Sequence, residues 1–149
     1  MKYRHTLAAS CACLLLTLAF AACGGGESAQ STVAEEQPPT VVTAELLGRG
    51  ADVYKISCVA CHGPLGKGDG PSAATLDPKP RDHSNREYMD ALSDQQIANT
   101  IVQGGAARGY PNMPSNPHIR GDDLRALVAH VRSLSRGLEG VQTVDLNTP

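Results

Sequence analysis

Five cysteines occur in the 149-residue chain, and their positions constrain it more than anything else. Cys11 and Cys13 sit inside an apolar N-terminal run, and Cys23 stands at its end. Cys58 and Cys61 are then the thiols of any downstream domain, both within Cys58-Val59-Ala60-Cys61-His62. A dithiol redox pair shares the C-x-x-C spacing but expects a βαβ pattern around it, which the chain lacks. A structural zinc site needs a second ligand pair at suitable spacing, and no other cysteine is left to supply one. A plain disulfide across two residues would leave the adjacent His62 without purpose.

C-x-x-C followed directly by His is the attachment pattern of a c-type haem. Two thiols three residues apart can add to the two vinyl groups on one porphyrin edge, and the adjacent imidazole then reaches the iron as proximal ligand. One covalent haem at Cys58, Cys61 and His62 is therefore expected. Composition points the same way. Aromatics make up 3% of the chain, tryptophan is absent, and the domain holds only Tyr54, Tyr88 and Tyr110. About ninety residues with so few large side chains bury too little apolar surface to be comfortably stable alone. A large apolar cofactor at the centre makes up the deficit.

The amino terminus reads as an address. Lys2 and Arg4 precede an apolar run from Leu7 to Ala22, closing in Phe20-Ala21-Ala22-Cys23, the layout of a secretory signal. The run is short for a membrane span, which takes about 20 residues, and Gly24-Gly25-Gly26-Glu27-Ser28 is a spacer rather than a stop-transfer sequence. The cysteine directly after small residues resembles the lipobox of bacterial lipoproteins, which implies lipidation of Cys23 and a hold on the membrane through acyl chains. Gly24, rather than Asp, resembles lipoproteins sent on to the outer membrane. Residues 24–43 are rich in Gly, Ser, Thr, Glu, Gln and Pro and read as a tether. The expected division is a signal over 1–22, a tether over 23–43, a folded domain over 44–136 and a frayed tail over 137–149. Net charge is −2 overall, and basic and acidic residues are nearly balanced between Ala44 and Arg136. No basic block suggests nucleic acid.

Within the domain, Leu46, Leu47, Gly50, Val53 and Tyr54 share one stripe of a helix predicted from Ala44 to Ser57, with Gly50 permitting close helix contact. Ser93-Asp94-Gln95-Gln96 reads as a capping box opening a helix that ends at Gly104-Gly105. A short helix around 86–92 is expected before it. Asp122 or Asp123 starts a last helix with Leu124, Leu127, Val128, Val131 and Leu134 on one face. No run alternates long enough for a strand, so the domain is expected to be all-α, three to four helices around one haem.

From about Glu45 to Leu134 the chain resembles the small monohaem cytochrome c family. The matching features are Gly50 and Tyr54, the Cys58–Gly63 run, Gly66, Gly68 and Gly70, Pro78-Lys79-Pro80-Arg81-Asp82, Tyr88-Met89, Gly104, Met113-Pro114 and the final helix. The resemblance implies the cytochrome c fold, with first and last helices crossing beside the haem edge. The family usually carries an aromatic on the last helix where His130 stands here, and the imidazole is expected to take over its packing role.

The candidates for the sixth iron ligand are Met89, Met113, His83, His118 and His130. Met113 lies in a loop stiffened by Pro111, Pro114 and Pro117, where a thioether can be presented without competing for a helical stripe. Met-Pro is also where the resemblance implies an axial methionine. Met89, in a short helix, is expected to fill core, and His118 is the chief rival. Arg81 is a candidate partner for a haem propionate, since a guanidinium matches a carboxylate fork. His83 has no obvious partner. A methionine-ligated iron leaves no vacant position and favours outer-sphere electron transfer between redox partner proteins. A haem enzyme, peroxidase-like or a small-molecule reductase, and a sensor or fixed haem subunit of a larger complex are the competing classes.

Overall fold

A computed structural model of the chain describes residues 38–147. The signal (1–22), Cys23, the tether as far as residue 37 and residues 148–149 lie outside the described residues. Five α-helical elements are present among those described: α1 (Ala44–Ser57), α2 (Val59–His62), α3 (Arg86–Asp90), α4 (Asp94–Gln103) and α5 (Gly121–Arg136). The all-α expectation holds, with α2 an extra single turn inside the Cys-His motif that no periodicity announces.

Local chemistry sets the helix starts. The Thr43 hydroxyl accepts from the Leu46 N–H at 3.1 Å to open α1, and the Asn85 side chain accepts from the Tyr88 N–H at 3.0 Å to open α3. At α4 the capping box forms in full, Ser93 accepting from the Gln96 N–H while the Gln96 side chain accepts from the Ser93 N–H. No side chain caps α5, but Asp122 and Asp123 in its first turn complement the positive end of the helix dipole.

The core lies where α1 crosses α5. Ala126, Leu127, Val128 and Ala129 are wholly buried, and complete burial of Leu127 alone stabilises by roughly 1.5–3 kcal/mol. Gly50 makes the crossing possible. A Cβ there would run into the Ala126 carbonyl and sit 2.8 Å from the His130 Cβ. His130 packs its ring against Tyr54, centroids 5.0 Å apart and planes inclined by 55°, which is the packing role expected of it.

Two boundaries differ from the expectation. The expected tether through residue 43 and frayed tail from 137 both reach into the fold. Thr40–Val41 (β1) pairs antiparallel with Thr143–Val144 (β2), and the Val42 N–H donates to the Gln142 carbonyl at 2.9 Å. Val141 and Val144 are buried, and the Asp145 N–H donates to an Asp94 carboxylate oxygen at 2.9 Å. Two-residue strands leave no alternation to read. What orders the segment is long-range pairing with the start of the domain and apolar burial under α5.

Candidate functional site

One cleft brings most of the predicted residues together. Its first wall is the α1–α2 junction, carrying Cys58, Cys61 and His62. Its second is the α3–α4 unit, carrying Met89, Leu92, Ile97 and Ile101. The loop around Met113 and Pro114 forms the third, and the Pro80–His83 segment closes the base. The cavity between the walls has a volume of about 140 Å³ and opens to solvent at its mouth. The surface it presents is mostly apolar.

His62 is buried at the inner wall. Its Nδ1 lies 3.1 Å from the Arg81 carbonyl oxygen. A carbonyl can only accept, so Nδ1 carries the hydrogen and Nε2 keeps a free lone pair. Burial moves the ring's pKa below the ordinary histidine value, against a smaller upward pull from that hydrogen bond, which favours the neutral, ligating form. Cys58 and Cys61 are not bonded to one another. Burial, with Cys61 nearby, pushes the Cys58 thiol up to about 11.

Met113, which also lines the cleft, is held half-buried by a pinned loop. Its carbonyl accepts from the Gly105 N–H at 3.0 Å and its N–H donates to the Tyr110 carbonyl at 3.1 Å. On either side, the Asn112 amide donates to the Asp77 carbonyl at 2.9 Å and the Asn116 amide to the Pro114 carbonyl at 3.1 Å. Met89 also lines the cleft, as a fully buried core residue. His118 is exposed and outside the cleft, and His130 faces Tyr54 instead.

Arg81 stands at the cleft with its guanidinium over two rings, 4.5 Å from the Tyr88 centroid and 5.0 Å from that of Tyr110. Stacking uses the face of the fork and leaves N–H donors on its edge. Two lining residues carry more than the sequence suggested. Arg108 joins the cleft from the turn after α4, with no motif to announce it. His83 lies with its ring stacked on His62, centroids 4.2 Å apart and planes inclined by 18°. Burial, and secondarily the neighbouring His62, pushes its pKa down to about 3, and its Nδ1 has no hydrogen-bond partner.

The paired thiols, the imidazole, the apolar lining and the thioether that share this cleft define a covalent haem site in a small all-α domain. The residues present fit that group: a neutral, tautomer-fixed imidazole and a soft sulfur suit haem iron, and the apolar walls suit the macrocycle. The sequence model of the Cytochrome c family matches residues 47–135, well over half of the chain, and the chain belongs to that family. Haem c is accordingly its cofactor, and the domain is that of a haem electron-transfer protein, the family's members being generally electron carriers. No curated protein matches the chain.

Proposed function

We propose that the chain is an exported, lipid-tethered electron carrier holding a single haem c. In this reading Cys58 and Cys61 form the thioether links, and His62 and Met113 are the axial ligands of the iron. The observation that carries it is the presence of His62, with its Nδ1 hydrogen committed to the Arg81 carbonyl, and of Met113 in walls of one apolar cleft.

When bound, haem supplies a one-electron iron couple. The chain's own residues determine how that couple is used. His62 presents the Nε2 lone pair, and the pinned loop presents the Met113 thioether. A methionine raises the reduction potential above that of a second histidine. With His62 and Met113 both holding the iron, no ligand position would be left to peroxide or oxygen, which separates a carrier from a peroxidase-like enzyme. Apolar walls keep water from the centre and lower its reorganisation. Arg81, braced on Tyr88 and Tyr110, offers N–H donors to a propionate.

The tether rests on sequence. The Lys2–Cys23 segment has the form of a lipoprotein signal, and two acyl chains hold a protein on a membrane where one holds it only marginally. Among the described residues no helix is long and apolar enough to cross a membrane. The partners are redox proteins reached from the periplasmic side of the membrane, the outer membrane being the favoured site.

Optical and redox titration of the wild type beside Met113→Ala tests the ligand assignment. Loss of the weak near-infrared sulfur-to-iron band is expected, with a potential lower by on the order of a hundred millivolts. An unchanged band would rule Met113 out. For the anchor, Cys23→Ser is expected to move the protein from the membrane fraction to the soluble periplasmic fraction. Retention on the membrane would disprove lipidation there.

A further inference from the structure

His62 meets its surroundings in two ways. The Nδ1–H bond to the Arg81 carbonyl holds one edge of the ring. The flat face of His83 lies against it at 4.2 Å, nearly parallel. A single hydrogen bond at one edge leaves an imidazole free to rock about its Cβ–Cγ bond within the range that hydrogen bond tolerates. A second plane pressed on its face removes that freedom.

His83 is itself well seated. Its N–H donates to the Gly66 carbonyl at 2.6 Å. Gly66, at φ 71°, brings its bare α-carbon so close that a Cβ there would lie 3.0 Å from the His83 Cβ. Tyr54 stands edge-on to the ring, centroids 6.4 Å apart and planes at 65°. The unpartnered Nδ1 also matters. With no hydrogen bond at that nitrogen to turn the ring, its orientation follows packing and the stack.

We propose that His83 is a positioning residue for the proximal ligand, its stacked ring setting the plane in which His62 presents Nε2 to the iron. This rests on the assignment of His62 as that ligand. Groups behind a ligating histidine fix its orientation and tune the metal. The plane of an axial imidazole decides which iron π-orbitals it overlaps, and hence how unpaired spin spreads over the ring in the ferric state. A π-face beside His62 also stabilises that ligand when oxidised iron draws electron density from it, favouring the ferric form.

The test uses holoprotein carrying His83→Leu or His83→Phe, read by ferric electron paramagnetic resonance, haem-methyl proton shifts and reduction potential. Leucine fills space without a flat face. It is expected to change the g-value pattern, reorder the methyl shifts and raise the potential. Phenylalanine keeps the face and is expected to retain the wild-type g-values and shift order. A His83→Leu spectrum that superimposes on wild type overturns the proposal, as does a His83→Phe spectrum displaced like that of leucine. Should His83→Leu fail to mature, His83→Phe decides alone: the wild-type pattern supports the stack and a displaced one overturns it. His62→Gly is measured alongside. A low-spin spectrum surviving that change sinks the ligand assignment and the proposal with it. Its loss, together with an unshifted His83→Leu spectrum, sinks the stacking alone.

Discussion

Arg132 puts a positive charge on the buried face of α5, with only 5% of its side chain exposed. Its Nε donates to Asp94 at 2.6 Å, and its terminal nitrogens donate to the Met89 and Leu92 carbonyls. One guanidinium thus ties α5 to the end of α3, to the turn after it and to the first residue of α4. Met89 and Leu92 both line the cleft, so the same clasp anchors a wall of the haem site. A buried pair of this kind adds little net stability against an apolar substitute, but removing one partner strands the other. Arg132→Met leaves a carboxylate and two carbonyls without their donor, and a loss of about 3 kcal/mol is expected. A denaturant titration of the holoprotein checks it, and Arg132→Met with Asp94→Asn should recover part of the loss. A midpoint unmoved by Arg132→Met would show the clasp to be energetically idle. In the sequence, nothing local to Arg132 marks it as buried. Its burial becomes visible only once α3 and α4 fold beneath it.

The helices whose signals are local were legible before the fold. Ser93 with Gln96 and the stripes of α1 and α5 depend on neighbours within a turn or two, and those elements stand where periodicity and the capping box place them. The cleft was legible only where a motif spans it, at Cys58–His62 and at Met113-Pro114. His83 and Arg108 enter it through chain reversals that leave no periodic trace. His130 lies between these cases, since its position on the α5 stripe is local but its contact with Tyr54 belongs to the α1–α5 crossing. Burial lowers its pKa from 6.5 in the folded state. The folded domain therefore favours the neutral ring. That contribution is complete above about 6.5 and is lost as pH falls from there through the folded-state value. His130→Phe keeps a ring against Tyr54 and removes the titration. The melting temperature of the variant holoprotein is expected to fall less steeply than that of wild type between roughly pH 7 and pH 5. A residual slope should persist, since His83 is also held neutral by burial. Equal slopes in the two proteins would exclude His130 as a source of acid lability.

At the scale of the whole domain, the two ends of the described chain meet. Thr40–Val41 enters the fold beside Thr143–Val144, so the point from which any N-terminal tether departs is closed by the C-terminal segment. That point lies at the start of α1, whereas the Cys-His motif follows its far end. A 14-residue helix spans about 21 Å, so the length of α1 lies between Thr43 and the Cys-His motif. The C-terminal segment is what secures the root, and its removal tests whether it belongs to the fold. Burial of Val141 and Val144 favours the ordered segment, and the conformational entropy of its backbone opposes it. The balance also includes the Asp145 N–H bond to Asp94, which holds the carboxylate that clasps Arg132. Truncation after Gly137 is therefore expected to lower stability by about 2 kcal/mol and the melting temperature by roughly 10 °C. Val144→Asp, which forces a carboxylate into an apolar site, should do the same in the full-length chain. Neither valine lines the cleft, so the haem spectrum should survive both changes while the melt shifts. A truncated protein that melts with the wild type would mean that residues 137–149 fray as their composition suggests, with the short ladder adding nothing to the fold.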